Sequence, residues 1–372
     1  MVNPQRRSEA GAVAATYHVA IVLLGARAFS EVLALWQGVV PTEARVSSSG
    51  DQFTQDAVKA MRIRRSQVEM IALAFMRLFR ALQTGYTFQT WGSKELDAVP
   101  LSTLRKDFYD LLVQYIPEAL NSGLIDLDPS DGIPAEEVEN PDGSDYDPYN
   151  IEDWLDDPDI EVESVDGIED LLDQLEDDLD AEAQRVISGL GPDRLQEILN
   201  DLSQDDKTQT PRETEAERED AQTKVGVLVA SHADRIVQNG ARHAETATGN
   251  ADSRVKGFIR VHYPQGDVNP CGFCALLLTK GFVTRTLLYH SSKGAGGTND
   301  EAGNNPDEYH AGCHCRAEAI YNLSSLDTDP RFAPNRMFAD LYEQKVRGEY
   351  YGKDILKQWR SIIRKKADQA SA

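Results

Sequence analysis

A chain of 372 residues with 41% hydrophobic content is long enough for two or three domains and a substantial core. Four cysteines in that length exclude a disulfide scaffold, which would be small and cysteine-dense. The net charge of −24 is concentrated: from Asp107 to Gln184 there are 28 acidic residues and no lysine or arginine, so everything else sums to +4. The chain is a mildly basic protein carrying an acidic insert.

Near the N-terminus, Arg6 and Arg7 precede an apolar stretch from Ala10 to Ala26, with Ala26-Arg27-Ala28 as a formal cleavage site. Glu9, Thr16, Tyr17 and His18 make it a poor signal peptide, and it is too short and polar for a membrane span. Apolar spacing continues through Phe29, Val32, Leu33, Leu35 and Trp36, which predicts one amphipathic helix. Ala57, Met61, Val68, Ile71, Phe75, Leu78 and Leu82 recur at three and four, predicting a second long helix. Its Arg62, Arg64, Arg65, Arg77 and Arg80 are expected mostly on the wetter faces. A third helix is expected from about Leu101 to Leu120, and residues 1–124 read as a helical domain.

From Ile125 to about Ile168 the turn signals Asp128-Pro129, Asn140-Pro141-Asp142-Gly143, Asp147-Pro148 and Asp157-Pro158 dominate. Residues 125–182 therefore read as a disordered acidic insert, a solvated linker or an interaction surface. Helical patterning resumes near Ile168, breaks at Gly189-Leu-Gly191-Pro192 and returns from about Glu213 to Thr246, giving a helical segment over 183–250. After Gly249 the pattern changes. Val255, Phe258, Ile259, Val261 and Tyr263 predict a strand, followed by a cysteine turn, a short helix over 275–280, a Gly-rich loop and a strand over 317–321. Residues 251–322 form a small α+β module. The tail, 323–372, ends in a basic amphipathic helix with Trp359 and Ile363 on one face and Lys357, Arg360, Arg364 and Lys365 largely elsewhere. That helix docks either on the core or on a partner protein or nucleic acid. The fold class is mainly α with a small α+β C-terminal module stapled by zinc, plus the disordered insert.

All four cysteines lie within 45 residues: Cys271-Gly-Phe-Cys274, then 35 residues, then His310-Ala-Gly-Cys313-His314-Cys315. A CxxC turn clamps a metal ion from two sides, and the second cluster supplies thiolate and imidazole to complete the tetrahedron that Zn²⁺ accepts. Cys271, Cys274, His310, Cys313 and Cys315 are the candidate ligands of a structural zinc site. His314 is expected to point away, because adjacent residues rarely reach one ion. His243-Ala-Glu245 followed by Pro270-Cys-Gly-Phe-Cys274 also matches the string of zinc deaminases, in which the glutamate moves protons. A helical stretch stands where that fold needs a hairpin, so His243 and Glu245 read as a solvated helix end. No Walker loop, HExxH or GxSxG motif is present, and no catalytic residue is named.

Three runs together carry a resemblance. They are Ala251-Asp-Ser-Arg-Val-Lys-Gly-Phe-Ile-Arg-Val, then Cys271-Gly-Phe-Cys274-Ala-Leu-Leu-Leu-Thr-Lys-Gly281, then Tyr309-His-Ala-Gly-Cys313-His-Cys315-Arg. Over about residues 251–321 the chain is similar to the Mu F-like minor head proteins of tailed bacteriophages, particularly the actinobacteriophage branch. Phe282-Val-Thr-Arg departs from the small or aromatic residue common there. The resemblance implies a structural protein inside the capsid, associated with the portal and acting in head assembly, DNA packaging or ejection. The implied partners are the portal protein, scaffold or major capsid protein, and packaged DNA, with no membrane; before assembly the protein would be in the host cytoplasm. Some relatives in this branch are labelled capsid maturation proteases, which makes protease the chief alternative and a deaminase the remote one.

Overall fold

The computed structural model describes residues 4–42, 46–89, 97–117, 159–165, 168–205, 211–262, 270–284, 313–350 and 353–370. Six helices form its larger part: α1 (Pro4–Trp36), α2 (Val46–Thr84), α3 (Leu101–Tyr115), α4 (Ile168–Leu190), α5 (Pro192–Asp205) and α6 (Pro211–Ala251). In α1 the buried positions Val13, Tyr17, Ala20, Leu24, Ala28, Val32 and Trp36 step by three or four, the spacing that puts one stripe on a core. Tyr17 stacks on Phe75 at 4.0 Å and Trp36 meets Phe53 edge-on at 4.9 Å, so α1 and α2 run antiparallel. The third long helix, α6, also runs antiparallel to α1. Tyr17 hydroxyl donates to Glu245 at 2.7 Å, and Trp36 Nε1 donates to the Gln222 carbonyl at 2.8 Å. Close approach requires Gly226, where a Cβ would stand 2.3 Å from the Trp36 ring.

Residues 183–250, read from sequence as a segment of their own, share this core with 1–124. α4 and α5 break at Gly191-Pro192, as the Gly-Pro step predicts. The α1 helix is also long and apolar enough to cross a membrane by length and composition, which the shorter stretch 10–26 did not suggest. In this fold its apolar stripe is packed against α2 and α6.

At one end of the bundle lies a three-stranded sheet that the sequence did not announce. β3 (Asp159–Glu163) is its middle strand, parallel to β1 (Tyr86–Phe88) and antiparallel to β2 (Ala98–Pro100). The acidic run thus contributes a structural strand at its C-terminal end, held by the buried Ile160 and by Glu163. The helix α4 also begins within it, at Ile168, contrary to the disorder expected up to 182, while residues 118–158 lie outside the described residues.

Arg80 ties this sheet to the bundle. Its guanidinium donates to Asp252 at 2.7 and 3.2 Å, to the Thr87 carbonyl at 2.6 Å, and to Glu163. Arg80 and Arg65 are each 1% exposed, contrary to their expected place on the wetter faces of α2. The reason is pairing: Arg65 meets Asp180 at 2.6 Å, and fixed carboxylates offset the cost of burying the charge.

The C-terminal module has the predicted strands and short helix as β4 (Gly257–Val261), α7 (Gly272–Leu278) and β6 (Arg316–Ile320), and adds β5 (Phe282–Thr284), which the sequence reading did not include. β4 is the middle strand, antiparallel to both neighbours. Every residue of β4 and β6 is buried, so both faces are covered. Phe258, Ala317 and Ala319 join the bundle core, while Ile259, Val261 and Ile320 pack with Phe332. The tail supplies α8 (Ser325–Thr328), a 3₁₀ turn at Pro330–Phe332, α9 (Ala333–Lys345) and α10 (Lys353–Ala370). Trp359 and Ile363 of α10 pack with Phe338, Ala275 and Leu278, so the basic helix docks on α7.

Candidate metal centre

The two cysteine arms are presented by different local structures. Cys271 is the N-cap of α7, its Sγ accepting the Cys274 amide at 3.3 Å. One turn of helix then aims Cys274 inward. The helix ends at Leu278, and Gly281 just beyond, with a φ of +63°, lets the chain reverse into β5 without a Cβ penalty. On the other arm, Cys313-His314-Cys315 leads directly into β6. Alternation along the extended chain puts Cys313 and Cys315 on one side and His314 on the other.

The arms meet. The sulfurs of Cys274, Cys313 and Cys315 are all buried and lie within 4.8 Å of one another. Cys274 Sγ is 3.3 Å from Cys313 Sγ, and all four cysteines are free thiols. A zinc tetrahedron with bonds of about 2.3 Å has sulfur–sulfur edges of about 3.8 Å. The three thiols fit that donor set and can hold a metal. Arg242 of α6, 4% exposed, positions the second arm. Its Nε donates to the Cys315 carbonyl at 3.1 Å, and the same guanidinium donates to the Cys313 carbonyl. Asn239 and Gln238 accept its remaining N–H groups at 2.8 and 3.0 Å.

The local electrostatics favour one thiolate. Hydrogen bonds from Cys274 and Cys315 hold the Cys313 thiol well below its ordinary range, helped by the charges of Arg242 and Arg260. The contacts of Cys274 with Cys271, Cys313 and Cys315, together with burial, push its own thiol far up. For Cys315 the contact with Cys274 pulls down, but the contact with Cys313 and burial outweigh it and push the thiol up to about 12.

Of the candidate ligands, Cys274, Cys313 and Cys315 are brought together. Cys271 is exposed and touches the Cys274 corner. His310 lies outside the described residues. His314 is within electrostatic reach of His18 on α1 and Asp234 on α6. One neighbour went unpredicted: His262, whose Nδ1 is 3.5 Å from Cys315 Sγ. The sequence signal was its place near the end of the predicted strand that leads to the CxxC turn.

The deaminase-like string is not assembled. Glu245 is 2% exposed, in the body of α6 rather than at a solvated helix end, which corrects that expectation. Its carboxylate is taken by the Tyr17 hydroxyl and by Arg316 at 2.6 Å, and burial pushes its pKa up. His243 acts instead on Glu69 of α2. Arg316 continues to Glu318 at 2.7 Å, and Arg331 joins the same carboxylate at 2.5 Å. This is a structural ion network joining α1, α6 and β6.

Residues 175–344 match the model of the VG15 protein family, a viral and phage family. The match supports a phage protein. It spans most of α4, all of α5 and α6, the whole cysteine module and α9 to its penultimate residue, and does not single out the Mu F-like family. No curated protein and no solved structure matches the chain.

Proposed function

We propose that this chain is a minor head protein of a tailed bacteriophage, held at the portal inside the capsid and acting in head assembly and in packaging or ejection of DNA. The observation that carries this reading is the phage-family match over 175–344, which contains both cysteine arms of the Mu F-like pattern. The buried cysteine cluster supports a structural use of metal. Its thiols sit between α6, α7 and β6, closed by packing, whereas a catalytic zinc keeps an open position for water.

A second feature supports proximity to DNA. On α10, Leu356, Lys357, Arg360, Ser361, Arg364 and Lys365 line a shallow cavity of about 410 Å³. The basic four are exposed, and none forms an ion pair with a described residue, although Arg62, Arg64, Arg65, Arg77, Arg80, Arg105, Arg235, Arg254 and Arg316 all do. Such a row suits a phosphate backbone. The acidic stretch would shield it before packaging. Deleting residues 126–158 then strengthens binding to duplex DNA at low salt; unchanged binding would remove the shielding role.

The deciding experiment is quantitative mass spectrometry of purified particles, with portal complexes extracted from them. The expected result is a few copies per head, recovered with the portal. A protein found in infected cells but absent from particles would refute the proposal. Cleavage of scaffold or capsid protein by the purified chain would replace it with the maturation-protease reading.

A further inference from the structure

We infer that His262 is the fourth ligand of a Cys₃His zinc site, binding through Nδ1 beside Cys274, Cys313 and Cys315, and that Cys271 is a helix cap outside the coordination sphere. This rests on reading the buried thiol cluster as a metal centre. Three buried sulfurs within 4.8 Å of one another need one more donor to close a tetrahedron. Two further candidate donors reach it, Cys271 at the Cys274 corner and His262 at the Cys315 corner.

Neither stands inside the 4.8 Å group itself, and the histidine has one edge of coordination length. Bonds of about 2.3 Å to sulfur and about 2.0–2.1 Å to nitrogen give a sulfur–nitrogen edge of about 3.6 Å in a tetrahedron. The separation of Cys315 Sγ from His262 Nδ1 is 3.5 Å. The position is also fixed by the sheet. β4 and β6 pair with Arg260 opposite Ala317 and Val261 opposite Arg316. One step further along the same antiparallel register sets His262 opposite Cys315. Directly opposed residues project to the same face, so the strand pair itself aims the ring at the sulfur. Cys271 contacts the Cys274 thiol, but from a helix cap rather than from a paired strand. It is exposed while the other three thiols are buried, and its sulfur already accepts the Cys274 amide that opens α7. Coordination through Nδ1 leaves the His262 proton on Nε2.

The test uses the full chain loaded with zinc, reading metal content and the ligand shell by zinc-edge X-ray absorption. Wild type and Cys271→Ser are expected to hold one zinc with three sulfur neighbours and one nitrogen. His262→Ala should bind zinc at least ~10-fold more weakly and lose the nitrogen signal. His262→Cys should keep the metal and convert the shell to four sulfurs, which separates loss of a ligand from loss of the fold. Four sulfurs in the wild type, with zinc lost in Cys271→Ser, would overturn the assignment while keeping the metal centre. A nitrogen that persists in His262→Ala would give the position to another histidine, His310 foremost. A wild-type chain that holds no zinc would remove the metal reading as well.

Discussion

At the scale of single residues, the decisive side chains are arginines whose partners come from far along the chain. Arg242 donates to two carbonyls of the Cys313–Cys315 arm, 71 and 73 residues away. Replacing it with Met leaves both carbonyls buried without that donor, and each orphaned group costs about 1–3 kcal/mol. Arg242→Met should therefore lower unfolding free energy by roughly 2–4 kcal/mol and weaken zinc binding, and Arg242→Lys should not rescue it, because an ammonium lacks the planar fork. Urea titration with parallel zinc measurement checks both; a stable, fully loaded Lys variant would contradict the anchoring role. Glu245 is the second such residue. Glu245→Ala strands Arg316 in the core, and breaking a buried pair from one side costs about 3–5 kcal/mol. A variant within 1 kcal/mol of wild type, a value far below the roughly 3 kcal/mol expected, would show that Glu318 alone satisfies the arginine. The cysteines were legible in the sequence because their chemistry depends on short spacing. Arg65, Arg80, Glu245 and His262 were not, because residue type does not reveal burial when the partner is 53 to 228 residues distant.

At the scale of elements, periodicity found the long helices and the two long strands of the cysteine module. It missed β3, whose five residues bury a single large apolar side chain, Ile160, among acidic neighbours. It also missed α9, a 13-residue helix with only Asn335 and Phe338 buried, too sparse a stripe to read. β3 owes its place to charge. Hydrogen bonds from Arg254 and then Arg80 hold the Glu163 pKa at about 2, below its ordinary 4.5. A depressed carboxylate stabilises the fold above pH 4.5, and that contribution is lost as pH falls toward 2. Acid titration of wild type and Glu163→Gln should show stability curves that converge in this window. Curves that stay parallel would place the acid sensitivity elsewhere. The docked tail gives a separate expectation. Trp359 is fully buried, edge-on to Tyr342 at 5.8 Å and Phe338 at 6.2 Å. Trp359→Ala should cost about 3–5 kcal/mol and speed amide exchange in α7, against which α10 packs.

At the scale of the whole molecule, bundle and cysteine module share one core, so a metal in the module bears on the entire fold. A chain purified with zinc should melt at a higher temperature than the same chain stripped by a chelator, because binding to the folded state alone adds stability. Coincident melts would argue against a structural ion. The fold class was legible because cysteine spacing and helical stripes are local patterns. The union of the bundle across the acidic stretch was not, since nothing in residues 183–250 announces that their apolar faces belong against α1.

That union sets a schedule for synthesis. Tyr17 must wait for Glu245, 228 residues later, before its hydroxyl has a partner, and the apolar stripe of α1 must wait for α6. At roughly 5–20 residues per second the delay is about 10–45 s. During it a helix apolar enough to suit a bilayer stands exposed on the nascent chain. The helical bundle therefore closes only once α6 has emerged, about two thirds of the way along the chain, and the β4–β6 sheet that packs on it comes later still.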